Sequence, residues 1–117
     1  MGYPHSDIAA DVAAFLREEN MLTSKQRSML TALASKDCVM QALGKNGLTA
    51  QFVATIDGLL AHHELVKIKF LDFKDEKRGI AEELAARTKS ELVRVIGHNA
   101  IFYRQNPDPE KRRINLA

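Results

Sequence analysis

The segment Gly44-Lys45-Asn46-Gly47 has the residue types and spacing best suited to a chemical task. Two glycines three positions apart can bring bare backbone amides close to an anion, because neither carries a side chain that would hold the anion away. A helix that begins directly after such a loop adds partial positive charge from its unpaired N–H groups. Lys45 adds a full charge between the glycines. The segment therefore predicts a phosphate-binding loop, although Asn-Gly between apolar runs is also typical of a hairpin turn.

The residues on either side favour the interpretation as a loop before a helix. A hairpin would need a strand after Gly47, whereas Thr49 is a suitable N-cap for a helix. The apolar run at 38–43 predicts a buried strand before the loop. Apolar residues after the loop recur with helical spacing: Leu48, Phe52, Val53, Ile56, Leu59 and Leu60.

Catalysis and metal binding have no comparable candidate in the sequence. His62 and His63 are adjacent on the predicted helix, where neighbouring side chains point about 100° apart and do not readily chelate one metal. The glycine segment is too short for the phosphate loop of nucleotide hydrolases and lacks its Lys-Ser/Thr ending. It also lacks the third glycine of a dinucleotide fingerprint. We therefore expect a protein that is not an enzyme and that needs no cofactor or metal.

Length and composition indicate one soluble domain. The chain has 117 residues, of which 45% are hydrophobic and 27% charged. Cys38 is its single cysteine and fits a reducing compartment. No apolar stretch is long enough to span a bilayer. A cytoplasmic protein without a membrane partner is expected.

Charge is distributed unevenly along the chain. The net charge is +2, but residues 1–20 hold one arginine and four acidic residues, so the rest of the chain keeps 16 basic residues against 11 acidic ones. This excess is compatible with a polyanionic partner. Residues 1–20 predict an acidic amphipathic helix, which could dock or dimerise or could pack on its own domain. Its apolar stripe consists of Ile8, Val12, Phe15 and Leu16.

The remaining elements predict the order α-β-α-β-α-β-β. Thr23 to Gln26 form a capping box before the first helix, and residues 65–70 alternate as a half-buried strand. A helix at 75–88 and a hairpin of strands 92–96 and 100–104 follow. Two strand-helix-strand units imply parallel pairing, and the hairpin makes the sheet mixed. The fold class is a compact α/β sandwich with a four-stranded mixed sheet, followed by a basic tail at 105–117 that is mobile or an edge strand.

Basic and aromatic residues in these elements could extend the glycine loop. Lys67 and Lys69 lie on the strand face opposite the apolar stripe, and Arg104 lies on the hairpin. Phe102 and Tyr103 point to opposite faces, so one could be exposed for stacking. KH domains use a G-x-x-G loop to clamp about four nucleotides of single-stranded RNA.

The ordered set of these motifs resembles the CRM domain (chloroplast RNA splicing and ribosome maturation) over about residues 22–104, which we delimit as a domain at 21–104. The stand-alone bacterial YhbY-like members are the most similar in size. The segments that carry the resemblance are 22–27, 43–49, 62–69, 93–97 and 101–104.

The resemblance implies a fold similar to the C-terminal domain of translation initiation factor three. It also implies RNA binding through the glycine loop and association with ribosomal RNA in large-subunit precursors, as an assembly factor. The alternative is a protein-interaction adaptor that uses the sheet and the N-terminal helix. Two departures are His98, where the family usually has Arg or Lys, and Lys89, near which a glycine is common. The implied RNA-binding residues are Gly44, Lys45, Asn46, Gly47, Lys25, Arg27, Lys67, Lys69 and Arg104.

Overall fold

The computed structural model describes residues 22–116, so the predicted helix at 1–20 lies outside the described residues. Within this range, short 3-10 turns occur at Lys74–Glu76 and Pro109–Lys111. The helices are α1 (Ser24–Lys36), α2 (Ala50–His63) and α3 (Lys77–Thr88), and the strands are β1 (Val39–Leu43), β2 (Leu65–Phe70), β3 (Glu91–Ile96) and β4 (Asn99–Tyr103).

The predicted helix caps are confirmed for α1 and α2. The Thr23 hydroxyl accepts a hydrogen bond from the Gln26 amide at 3.1 Å, and the Gln26 side chain accepts one from the Thr23 amide at 3.0 Å. The Thr49 hydroxyl accepts from the Phe52 amide at 3.0 Å. These bonds pair N–H groups that a helix leaves free in its first turn. Helix α3 begins two residues later than predicted, because the chain first forms the 3-10 turn.

Residues 22–116 form the predicted mixed sheet of four strands, in the order β1-β2-β4-β3. Strands β1 and β2 are parallel, as the first strand-helix-strand unit predicts. The parallel pairing implied by the second unit is wrong, since β4 lies between β2 and β3 and is antiparallel to both. This order places Ala100 and Phe102 of β4 in the centre of the core, where both are fully buried.

Helices cover both faces of the sheet. Helices α2 and α3 pack on Val66, Ile68 and Phe70, the predicted apolar stripe of β2. Helix α1 packs on the other face, where it contributes Leu30 and Ala34 to a second apolar cluster. Phe102 belongs to the first cluster and Tyr103 to the second. The expectation that one of these rings is exposed for stacking is therefore wrong.

The chain after β4 is tied to a buried carboxylate. Glu64, between α2 and β2, is fully buried and accepts hydrogen bonds from the amides of Asn106 at 2.6 Å, Arg113 at 2.6 Å and Ile114 at 3.1 Å. Ile114 and Leu116 pack against the cluster under α1. Residues 105–116 contain a 3-10 turn but no strand, so the edge strand considered for this tail is not formed.

Helix α3 ends at a lysine in a conformation that favours glycine. Lys89 has φ 54° and ψ 42°, and the following Ser90 amide donates to the Ala85 carbonyl at 2.9 Å. A Cβ atom is strained in this left-handed region, and helices commonly place glycine there.

We expect Lys89→Gly to raise the free energy of unfolding by up to about 1 kcal/mol, because relief of strain outweighs the added entropy of the unfolded chain. Urea unfolding measures the change. Ala86→Gly, in the last turn of the same helix, is the control and should lower stability by about 1 kcal/mol. Equal losses in both variants would contradict the prediction.

Candidate nucleic-acid interface

The glycine segment forms a tight turn between β1 and α2. The Gly47 amide donates to the Gly44 carbonyl at 3.0 Å, and the Thr49 amide donates to the Gly47 carbonyl at 3.0 Å. Gly47 has φ +67°, a conformation that L-residues rarely adopt. Gly44, Lys45 and Asn46 are exposed. The predicted succession of strand, glycine loop and helix is confirmed.

Gly44 faces open space, whereas Gly47 lies against a supporting ring. A Cβ atom at Gly44 would meet no atom of the described residues within 4 Å. A Cβ atom at Gly47 would lie 3.5 Å from Cε2 of Phe73. Phe73 itself has φ 55°, and its amide donates to the Asp72 carboxylate at 2.9 Å. One side of the turn is therefore supported by the segment after β2, and the other is accessible.

Sequence reasoning missed the role of Phe73. An aromatic residue after a strand carries no local signal for contact with a loop 26 positions earlier. The contact follows from the parallel pairing of Leu43 with Phe70, which brings the ends of β1 and β2 together. The Leu71 amide continues this pairing by donating to the Leu43 carbonyl at 3.0 Å.

Two of the predicted lysines lie on the sheet near the loop. Lys69 pairs across the sheet with Ala42 of β1, two residues before Gly44. The side chains of Lys69 and Lys45 are exposed and form no hydrogen bond or ion pair with other described residues. Lys67 lies one cross-strand row further from the loop and is half-buried, and its Nζ donates to the Ala34 carbonyl at 3.3 Å.

The turn between β3 and β4 adds a cation that the sequence did not indicate. The His98 carbonyl accepts from the Phe70 amide at 2.8 Å, which places this turn at the same end of the sheet as the glycine loop. Lys77 Nζ, from the start of α3, lies 3.4 Å from Nδ1 of His98. A positive charge from another element therefore lies beside His98.

The remaining predicted residues lie at the opposite end of the sheet. Arg27 donates from one guanidinium nitrogen to the carbonyls of Leu92 and Val93 at 2.7 and 2.8 Å. Its other terminal nitrogen lies 3.9 Å from the Glu91 carboxylate. Lys25, in the same turn of α1, is exposed. The start of β3 pairs with the end of β4, far from the loop.

Arg104 joins three elements rather than extending the loop surface. It donates to the Asp57 carboxylate at 2.6 Å, the Asp57 carbonyl at 2.9 Å and the Thr88 carbonyl at 2.7 Å. These contacts connect the end of β4 to α2 and α3. The structure therefore brings Lys67 and Lys69 together with the loop, and leaves Lys25, Arg27 and Arg104 away from it.

The half-buried Cys38 and the buried Tyr103 have raised pKa values, which favour their neutral forms. Burial raises the pKa of the Cys38 thiol above its usual value, although the nearby Lys67 charge opposes this shift. Burial also raises the pKa of Tyr103 to about 12, and the negative charge of Glu64 adds to the effect. Cys38 is therefore a poor nucleophile near neutral pH, because only the thiolate reacts.

No group of three or more His, Cys, Asp or Glu side chains within residues 22–116 is arranged to hold a metal ion. No helix in this range has the length and apolar character needed to cross a membrane.

The arrangement of loop, helix and strands corresponds to a known family. The model of the CRS1 / YhbY (CRM) domain matches residues 22–104. The chain belongs to this family.

Bacterial relatives match this chain over nearly the whole of their own length. A "probable RNA-binding protein" of Pseudomonas aeruginosa is 34% identical over 97 residues, which cover 82% of this chain and 93% of that protein. An "RNA-binding protein" of Haemophilus influenzae is 35% identical over 96 residues, covering 81% and 94% of the two chains. The solution structure of a hypothetical protein from Staphylococcus aureus superposes with a TM-score of 0.66 at 35% identity, covering 81% of this chain and all of that one.

Arg27 and Lys25 give a direct test of which CRM-domain cations are structural. We expect Arg27→Ala to lower the free energy of unfolding by about 2 kcal/mol, because two carbonyls lose a charged donor. Lys25→Ala, two residues away in the same helical turn, should change the free energy of unfolding by less than about 0.5 kcal/mol. Urea unfolding of both variants measures the difference. Equal stability of the two would show that the Arg27 contacts contribute nothing.

Proposed function

We propose that this CRM-domain protein is a non-enzymatic RNA-binding protein that contacts the RNA backbone through Gly44, Lys45, Asn46 and Gly47, with Lys67 and Lys69 beside them. In this proposal it acts in the cytoplasm as an assembly factor on large ribosomal subunit precursors. The observation that carries the RNA contact is the open space in front of Gly44, at a turn that leads into a helix.

The turn offers hydrogen-bond donors to an anion. The amides of Lys45 and Asn46 donate to no acceptor among the described residues. Helix α2 begins at Ala50, three residues after the turn, and its N-terminus contributes partial positive charge. Lys45 and Lys69 are free to neutralise phosphates. Backbone donors and exposed lysine side chains of this kind bind the phosphates of a nucleic acid and do not distinguish one base from another.

The relatives support the nature of the partner. The proteins of P. aeruginosa and H. influenzae are named for RNA binding, and a "probable RNA-binding protein" of Bacillus subtilis is 30% identical over 97 residues. The ribosomal part of the proposal rests on the resemblance to the CRM domain. Lys25, Arg27 and Arg104 would take part only with an RNA long enough to reach the opposite end of the sheet.

Gly44→Ala separates binding from folding. The added methyl group enters open space, so stability should change by less than about 0.5 kcal/mol, but the group would stand where a phosphate approaches. Loss of one charge-assisted hydrogen bond predicts about tenfold weaker binding of a labelled single-stranded RNA, measured by fluorescence anisotropy.

Gly58→Ala is the matched control, because Gly58 is exposed on α2 and its Cβ would also meet no described atom within 4 Å. It should bind RNA normally. Gly47→Ala is less informative, since its positive φ would cost stability as well. Normal binding by a folded Gly44→Ala variant would exclude the loop as the contact.

A protein-interaction adaptor is the second candidate, because the large apolar side chains of Met40 and Ile96 are exposed on the sheet. Co-sedimentation with large-subunit precursors from a bacterial lysate, with and without RNase, distinguishes the two functions. An RNA-binding assembly factor should leave the particle fraction after RNase treatment. Association that survives complete RNA digestion would favour the adaptor, and absence from the precursor fraction before digestion would contradict the ribosomal role.

A further inference from the structure

One face of the sheet is covered by α1 at the end opposite the glycine loop. On the same face, the half nearest the loop presents two rows of side chains. Each row crosses all four strands. Helix α1 packs on the row that follows, at Leu65 and Tyr103, and its end also covers Ile101 in the nearer of the two rows. We call these two rows the open rows. The first consists of Ala42, Lys69, Asn99 and Ile96, and the second of Met40, Lys67, Ile101 and Arg94.

The open rows combine exposure with apolar surface. Met40 is 51% exposed and Ile96 is 47% exposed. They lie on the two edge strands, with the exposed residues Ala42, Lys69 and Arg94 near them. Ile101 alone among these eight residues is fully covered within residues 22–116. Large apolar side chains on an uncovered strand face are typical of a binding surface.

The charge of the open rows has one sign. They hold Lys67, Lys69 and Arg94 and no acidic residue. The side chains of Lys69 and Arg94 form no hydrogen bond or ion pair with other described residues. The acidic residue that β3 contributes to this face, Glu91, lies at the covered end beside Arg27. A ligand of this surface must therefore be anionic and must also present apolar area.

We propose that the open rows bind the unpaired bases of a single-stranded RNA whose neighbouring phosphates are held by the glycine loop. This inference rests on the proposed function. Single-stranded RNA meets both requirements, since its phosphates are anionic and its unstacked bases offer flat, weakly polar faces. An RNA duplex hides its base faces and displays phosphates and 2′-hydroxyls, so it gives Met40 and Ile96 no partner.

Continuity with the loop favours RNA over other anionic occupants. Ala42, in the first open row, precedes Gly44 by two residues. An RNA chain that leaves the loop therefore meets Lys69 on β2 and then crosses β4 and β3. With neighbouring strands about 4.8 Å apart, the rows extend about 14 Å from β1 to β3. Arg94, at the far edge, can pair with a phosphate or stack its guanidinium on a base. The surface therefore lengthens the RNA site beyond the about four nucleotides that a G-x-x-G loop holds.

The test compares single-stranded oligouridylates of four and ten nucleotides on the full chain. Met40→Glu and Ile96→Glu should each weaken binding of the ten-nucleotide RNA about tenfold or more, and should leave binding of the four-nucleotide RNA within about twofold. Leu33→Glu is the matched control, because Leu33 is also an exposed apolar residue but lies on α1. It should bind both RNAs like the unaltered protein. Met40→Ala and Ile96→Ala, which add no charge, should weaken binding of the ten-nucleotide RNA by a smaller factor than the glutamate variants do.

Urea unfolding of each variant confirms that the fold is intact, and a ten-base-pair RNA duplex serves as competitor. The inference is overturned if both glutamate variants bind the longer RNA normally while Gly44→Ala does not, and the proposed loop function then stands. It is also overturned if the duplex competes as well as the single strand. If Gly44→Ala and the glutamate variants all bind normally, the proposed function itself fails.

A third outcome identifies a different occupant. The segment 1–20 is acidic, and deletion of these residues exposes any surface that it covers. If the glutamate variants bind the longer RNA more tightly than the unaltered protein, and the deletion removes that difference, the open rows bind the acidic segment and the inference is overturned.

Discussion

The parallel pairing of β1 with β2 is the constraint on which the candidate site depends. It aligns Leu43 with Phe70, so that the C-terminal ends of both strands lie at the same end of the sheet. The glycine turn then has Phe73 against one side and open space on the other. In an antiparallel pair the chain after β2 would leave the sheet at the opposite end, and Phe73 could not lie against the glycine turn. The support that Phe73 gives the turn at Gly47 is thus a consequence of a strand pairing that ends at Leu43, the residue before Gly44.

The position of α1 divides one face of the sheet into a covered half and a more exposed half. This helix begins over the start of β3, where Arg27 binds strand carbonyls, and its Ala34 carbonyl accepts a bond from Lys67. It therefore covers the end of the sheet opposite the loop. At the end opposite the loop, Arg27 and Arg104 are held by backbone carbonyls and carboxylates. The side chains of Lys45, Lys69 and Arg94 form no hydrogen bond or ion pair with other described residues. Residues of the same charge therefore differ in their contacts according to their position on the sheet.

Local features of the structure were predictable from the sequence. Thr23 and Thr49 cap their helices, Gly47 forms the turn, and Val66, Ile68 and Phe70 form a buried stripe, because each depends on residues within a few positions. Features set by distant pairing were not predictable. The insertion of β4 beside β2, the burial of Tyr103 and the contact of Phe73 with the turn all depend on which strands pair. Arg27 and Arg104 belong to this second group, since a basic residue has the same local pattern whether it is free or bound to a carbonyl.

Two positions that the sequence marks as departures from the family it resembles, His98 and Lys89, are accommodated differently. His98 lacks a permanent charge, and Lys77 from a separate helix stands 3.4 Å away and supplies one. Lys89 retains its left-handed conformation at a cost in strain, and the hydrogen bonds that close the end of α3 hold it there. Charge near a binding surface can be replaced from another element, because electrostatic attraction acts over several ångströms. A backbone conformation can be relieved only at the residue that adopts it.

The buried carboxylate of Glu64 extends the folding unit beyond the family match. The match ends at residue 104, but the donors that solvate this carboxylate are the amides of Asn106, Arg113 and Ile114. A chain cut after residue 104 would lose these three donors and the packing of Ile114 and Leu116 on the cluster under α1, and water would have to replace the donors around Glu64. The boundary of the family match therefore falls inside the folding unit, and a fragment that ends there lacks contacts that the longer chain makes.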